Sequence, residues 1–227
     1  MMPYGNTVID GRYEVIKEIG SGGTGVVYLA YNIALQKKVV LKKIKKGVYD
    51  PSVVRREADL LKDLHHTYLP AVYDFLVYNG DVYTVIDFIE GYSLDQYIDS
   101  GTYIDSENLK RWFTQLCEVL DYLHSHDPKI IHSDIKPANI IITPDNNVCL
   151  IDFNISLDGV TDAMGYSKFY ASPEQISSAY AAMEGRAYAV DERTDIFSLG
   201  ATFYHLFSWH LPCLLYTSPS PRDGLLS

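Results

Sequence analysis

The periodicity of apolar residues changes once along this chain, and that change limits what it can fold into. Between residues 13 and 87, apolar side chains alternate with polar ones in short runs, at 13–19, 26–30, 38–44, 71–78 and 82–87. Turn residues separate the runs: a glycine cluster at 20–25 and Asn79-Gly80-Asp81. One helix interrupts them over 53–64, carried by Val54, Ala58, Leu61 and Leu64. After Gly91 the period lengthens to three and four: Leu109, Trp112, Phe113, Leu116, Leu120 and Leu123 mark a long amphipathic helix over 107–125. Short strands at 140–142 and 148–151 flank the turn Thr143 to Asn147, and a mostly apolar helix over 194–208 is expected to be buried. A strand-rich lobe over 1–90 followed by a mainly helical lobe over 91–211 is an α+β build with a crevice between the lobes.

Charge narrows the function classes. Lys and Arg total 19 against 29 for Asp and Glu, a net charge of -10. Such a chain is a poor general binder of nucleic acid or of anionic membrane, although a nucleotide needs only a local positive site. No run approaches the ~18 apolar residues of a membrane helix, and the first residues carry no basic-then-apolar leader pattern. The cysteines, Cys117, Cys149 and Cys213, form no C-x-x-C pair, so a reducing, cytoplasmic compartment is expected. Cys117 and Cys149 are expected in the core, His132 as packing, and His65, His66, His124 and His126 at the solvated surface.

Three segments carry chemistry. Gly20-Ser21-Gly22-Gly23-Thr24-Gly25-Val26-Val27 lies between two strands. Glycines there let backbone N–H groups approach phosphate oxygens. Lys42 stands on an otherwise apolar strand, where a lysine either snorkels from an edge or meets phosphate, and Glu57 on the next helix could hold it. In the loop 130–140, Asp134 can accept a hydroxyl proton, Lys136 can neutralise a transferring phosphoryl group, and Asn139 offers an oxygen to a hard cation. Asp152, thirteen residues on, adds a second acid at a strand end, and with Asn139 it suits a metal bridging phosphates.

Over residues 11–210 these segments resemble the eukaryotic-like protein kinases, most of all the bacterial serine/threonine kinases. The resemblance rests on the glycine loop, Val39-Val40-Leu41-Lys42, His132-Ser133-Asp134, Asp152-Phe153-Asn154, Ser172-Pro173-Glu174 and Asp195-Ile196-Phe197-Ser198-Leu199-Gly200. It implies a two-lobed kinase fold, with a small antiparallel β lobe and a helical lobe. It implies transfer of the γ-phosphate of ATP to Ser/Thr hydroxyls of a protein, with Mg2+ as cofactor and Mn2+ as an alternative. Gly20, Ser21, Gly22, Gly23, Thr24 and Gly25 would cover the phosphates. Lys42 would contact them and pair with Glu57. Val27, Val40 and Ile141 would sandwich adenine, with Ile86 as gatekeeper and Asp87 to Ile89 as hinge. Asp134 would be the base, Lys136 would attend the γ-phosphate, and Asn139 and Asp152 would hold Mg2+. Ser167, Ser172, Pro173 and Glu174 would form the substrate-side segment.

Departures from the family pattern set further expectations. Ser133 stands where the family has an arginine that grips an activation-segment phosphate, so activity is expected not to require a phosphate on 152–174. Asn154 stands for glycine and Val40 for alanine. Asn is the side chain that best tolerates left-handed backbone. The 21-residue step from Glu174 to Asp195 is long for the family, and its 177–186 stretch is expected to be a surface loop. Cys213 to Asp223 matches, residue for residue, the translation of a transposon-end adapter used for sequencing libraries. Residues 212–227 are therefore expected to be non-native, the helical lobe incomplete, and any membrane anchor of the parent protein to lie beyond them. A catalytically impaired ATP-binding module and a small-molecule phosphotransferase compete with the kinase reading. The Ser172-Pro173-Glu174 segment and the Asp195 helix favour a protein substrate.

Overall fold

The computed structural model describes residues 7–21, 25–44, 59–152, 169–183 and 190–212. The expected Glu57, Ser167, Phe153-Asn154 and most of the 53–64 helix lie outside these residues, as does the segment 213–227. Residues 59–62 are helical, as expected.

Six strands make one antiparallel sheet: β1 (Val8–Ile9), β2 (Tyr13–Ser21), β3 (Gly25–Asn32), β4 (Lys37–Ile44), β5 (Val72–Tyr78) and β6 (Asp81–Asp87), in the order β1-β2-β3-β4-β6-β5. The β5–β6 hairpin closes on Asn79-Gly80, both at positive φ, with Tyr78 opposite Asp81. That is the two-residue turn an Asn-Gly pair favours, because its twist matches the strands. Alternation splits the sheet into two faces. On one face Tyr13, Val15, Ala30, Val39, Leu41, Tyr83 and Val85 form a buried cluster. Val27, Val40, Lys42 and Ile86 alternate with these residues and remain partly accessible on the other face.

The helical lobe begins with β7 (Tyr92–Ser93) and α1 (Leu94–Asp99), followed by α2 (Ser106–His124). Trp112, Gln115, Leu116, Val119, Leu120 and Leu123 of α2 are buried, a helical stripe that packs with Leu94, Ile135, Ile140, Leu150 and Leu199. Asp105 caps α2, its side chain accepting the Asn108 N–H at 2.8 Å. β8 (Ile140–Ile142) and β9 (Val148–Leu150) pair with each other, and β7 joins the edge of β8. Gly91 makes that join possible. Its φ is +146°, and a Cβ would lie 2.1 Å from the Ile142 carbonyl oxygen, so no side chain fits. The β8–β9 turn is tied to α2 by Trp112 Nε1 donating to Asn146 at 3.1 Å and Gln115 Nε2 donating to Asn147 at 2.7 Å.

α3 (Pro173–Met183) and α4 (Arg193–Ser208) complete the described lobe. The expected surface loop at 177–186 is helical as far as Met183. The expectation of a buried 194–208 helix also needs correcting. Thr194, Asp195, Ser198, Leu199, Thr202 and Leu206 are buried, but Ile196, Tyr204 and Phe207 on the other face are exposed, Phe207 at 79%. Cys117, expected in the core, faces outward on α2, whereas Cys149 is buried in β9 and burial pushes its thiol up to about 12. No helix among the described residues is long and apolar enough to cross a membrane.

Candidate active site

The site is built on the loop between α2 and β8. Its backbone leaves ordinary geometry at Ser133, which adopts φ +65° in the left-handed region. A 3₁₀ turn, Pro137–Asn139, follows, with proline at its start. This geometry gathers Asp134, Lys136 and Asn139. Lys136 Nζ donates to Asp134 Oδ2 at 2.7 Å. Asn139 Nδ2 donates to Asp134 Oδ2 at 2.9 Å and to the Asp134 carbonyl at 2.8 Å. Asp134 is 5% exposed and the Lys136 side chain 25%, so the acid is sunk beneath its cation. Both Asn139 amide hydrogens go to Asp134, which leaves the amide oxygen as the group free to serve a cation.

Across the crevice, Lys42 rises from β4 with Val27 opposite it on β3 and Thr84 opposite it on β6. Its ammonium is paired with Asp152. Asp152 follows the end of β9, stands in left-handed conformation at φ +61°, and keeps 43% of its side chain exposed. Non-glycine residues hold such backbone only where neighbours over-determine it. Burial pushes the Asp152 carboxyl up, but Lys42, His132 and Lys136 together hold it below the usual carboxylate range. The two halves of the site are tied by backbone, since Ile151 N–H donates to the Asn139 carbonyl at 2.9 Å.

His132 joins these pieces from below. It is fully buried. Its Nε2 meets the Ile151 carbonyl at 3.2 Å, and its Nδ1 accepts the Asp134 N–H at 3.3 Å. That pattern requires a neutral imidazole, with the proton on Nε2. Burial lowers its pKa below the ordinary 6.5, outweighing the attraction of Asp195, Asp134 and Asp152. A histidine depressed in the folded state leaves the unfolded chain with more protons. Its stabilisation is complete above about pH 6.5 and is lost as pH falls below that value. Burial lowers His66 and His205 in the same direction. The thermal midpoint is therefore expected to fall between pH 7.5 and 5.5, with a shallower fall in His132→Gln. Melts over that range would contradict this if the midpoint rose on acidification.

Asp195 is a functional residue that reading the sequence placed in a motif but gave no role. It is wholly buried in the first turn of α4. Its carboxyl oxygens accept the N–H groups of His132 at 2.9 Å and Ser133 at 2.8 Å. Its Oδ2 also meets His124 Nε2 at 2.9 Å, so His124 belongs to this network rather than to the solvated surface. A helix N-terminus favours an acid there. Gln175 is a second residue of this kind. The signal was available: Ser172-Pro173-Glu174-Gln175 is a capping box with proline at its second position.

The remaining expected residues are distributed as follows. Gly20 and Ser21 end β2 and Gly25 opens β3, while Gly22, Gly23 and Thr24 lie outside the described residues. A Cβ on Gly25 would sit 2.0 Å from the Lys43 carbonyl oxygen, so that glycine is required by contact with β4 as well as by any ligand. Val40 is opposite Ile86 across the β4–β6 ladder. Ile141 alternates with the buried Ile140 and Ile142 and is more accessible than either. Asp87 ends β6, with Lys37 Nζ 3.0 Å from its carboxylate, and Ile89 lies in the connection to β7. Glu174 accepts from Thr194 Oγ1 at 3.3 Å.

The family described as protein kinase domain matches residues 13–220. The carbon catabolite-derepressing protein kinase of Candida glabrata is 33% identical over 211 residues, 89% of this chain and 32% of that protein. Serine/threonine-protein kinase pkn2 of Myxococcus xanthus is 31% identical, over 99% of this chain and 27% of its own length. Serine/threonine-protein kinase PrkC of Bacillus subtilis is 28% identical, over 90% of this chain and 31% of its own length. The chain spans about a third of the length of these curated relatives.

Proposed function

This chain belongs to the protein kinase family, and from that premise we propose that it transfers the γ-phosphoryl group of ATP to serine or threonine hydroxyls of proteins. The observation that carries the reading is the cluster in which Asp134 is held at 2.7–2.9 Å by Lys136 and Asn139, beside the Lys42–Asp152 pair. Asp134 is the base that takes the acceptor hydroxyl's proton. Lys136 sits against that base and balances charge where phosphoryl and hydroxyl meet. Lys42 supplies the cation for the phosphates on the β-lobe side. Little of the catalysis requires covalent chemistry by the protein. It comes from positioning and from preorganised charge.

Members of the family use ATP with a divalent metal, and we take that metal to be Mg2+, held by Asn139 and Asp152. Their side-chain oxygens are hard ligands. Among the described residues no group of three His, Cys, Asp or Glu could hold a metal ion by itself. Two protein oxygens are a fit for Mg2+, which completes its shell with water and phosphate oxygens rather than with an all-protein cage. Bound there, Mg2+ would neutralise charge on the transferring group. We take Val27, Val40 and Ile86, on the open face of the sheet, together with Ile141 to be the apolar surface for adenine. We further take Glu57 to be the second partner of Lys42, Gly22 to Thr24 to cover the phosphates, and Ser167 to Glu174 to lie on the acceptor side. Among the described residues, the free Cys117 and Cys149 favour a cytoplasmic domain. With Lys42, Asp134, Asn139 and Asp152 all in paired positions, a purely non-catalytic role finds no support in the site.

The test is transfer of labelled γ-phosphate from Mg-ATP to a generic protein substrate, followed by identification of the modified amino acid. Label on phosphoserine or phosphothreonine is expected. Label confined to phosphotyrosine, or to a small-molecule acceptor, would refute the reading.

A further inference from the structure

We propose that Gln175 is a positioning residue that fastens the catalytic loop to the start of α3, so that the loop is set by neutral hydrogen bonds from the end of the activation segment. The argument begins at Ser133. Its backbone is left-handed, at φ +65°, which disfavours any side chain larger than glycine. Its hydroxyl is buried and has no hydrogen-bond partner among the described residues, so the side chain does nothing to hold that conformation. The peptide groups must hold it. The Ser133 N–H goes to Asp195 at 2.8 Å. The Ser133 carbonyl accepts from Gln175 Nε2 at 2.7 Å.

Gln175 is 2% exposed and has a second duty at its other end. Its Oε1 accepts the Ser172 N–H at 3.0 Å, while its own N–H donates to Ser172 Oγ at 3.2 Å, which caps α3. Ser172 Oγ in turn lies 3.1 Å from Thr194 Oγ1 at the start of α4. One carboxamide thus joins the cap of α3 to the residue before the base. A buried carbonyl with one donor among the described residues is sensitive to the loss of that donor. The two bonds by which Gln175 ties the loop to the segment end, to the Ser133 carbonyl and from the Ser172 N–H, involve no charged side chain.

Two variants separate this role from simple capping. Gln175→Glu keeps an oxygen for the Ser172 N–H but removes the donor to Ser133. Ser172→Ala weakens the cap but keeps that donor. Amide exchange would be followed by mass spectrometry in peptides spanning 130–136 and 173–183. The expected result is exchange at least about tenfold faster in 130–136 for Gln175→Glu, and no comparable change there for Ser172→Ala. Equal acceleration of 130–136 in both variants, or none in Gln175→Glu, would overturn the proposal. The kinetic arm rests on the phosphotransfer reading. There, kcat of Gln175→Glu is expected to fall about tenfold per folded molecule with KM for ATP within twofold. An unchanged kcat in a folded variant would count against the positioning role. A wild-type chain with no transferase activity would dispose of the phosphotransfer reading and leave amide exchange to decide this one.

Discussion

Asp134→Asn is expected to lower kcat by about a thousandfold while leaving ATP affinity within about twofold of wild type. Among the described residues of the cluster formed by Asp134, Lys136 and Asn139, Asp134 is the one carboxylate. Lys136 and Asn139 both donate to Asp134 Oδ2, so they serve the carboxylate and cannot themselves take a proton. An asparagine there has no basic oxygen. It also turns an amide toward donors on at least one side, which loosens Lys136 as well as removing the base. Lys42 and Asp152 sit on the other wall of the crevice and keep their pairing, which is why nucleotide binding should persist. Steady-state kinetics beside calorimetric titration with ATP would separate the two effects. A folded Asp134→Asn chain that kept more than a tenth of kcat would remove Asp134 from the base role and leave positioning alone to explain catalysis.

Much of this site was legible in the sequence because the chemistry sits in contiguous loops. Asp134, Lys136 and Asn139 lie within six residues, and the strands around Lys42 announce themselves by alternation. What was not legible is what holds the loop from elsewhere. Asp195 is 61 residues from Asp134 and Gln175 is 41, and no local pattern says that either side chain points back at Ser133. Six residues give too little periodicity for short α1 to be legible, although its Ser93-x-x-Gln96 cap repeats the pattern at Ser172. The mostly apolar composition of the 194–208 helix predicts burial without saying which face is buried. The fold places Asp195, Thr194, Ser198 and Thr202 inside, where they are needed for bonding or close packing, and leaves Ile196, Tyr204 and Phe207 outside. On α2 the fold likewise turns Cys117 outward and brings His124 against the buried Asp195. One-dimensional spacing predicts which face of a helix is apolar, but not which polar side chain finds a buried acid.

Asp195→Ala is expected to be the most destabilising single change among the residues that shape the site. Its two carboxyl oxygens satisfy two backbone N–H groups, at His132 and Ser133, and meet the His124 ring, all at 2.8–2.9 Å. Alanine would leave both N–H groups without an acceptor where no water reaches, since Asp195 and His132 are each 0% exposed. An orphaned buried donor costs about 1–3 kcal/mol, so two together with the lost ring contact amount to roughly 4 kcal/mol. That is a large part of the ~5–15 kcal/mol by which a domain is stable. For a chain of this size it corresponds to a fall in thermal midpoint on the order of 10 °C. Asp195→Asn keeps one acceptor and faces the second N–H with an amide, so about half that loss is expected. The effect on activity should exceed what unfolding explains, because the unsupported Ser133 peptide precedes Asp134 directly. Thermal melts of the two variants beside kcat measured per folded molecule would show this. An Asp195→Ala chain that melted within about 2 °C of wild type would mean that the N–H groups find other acceptors. The left-handed turn at Ser133 would then be held by the Gln175 bond and its local packing rather than by α4.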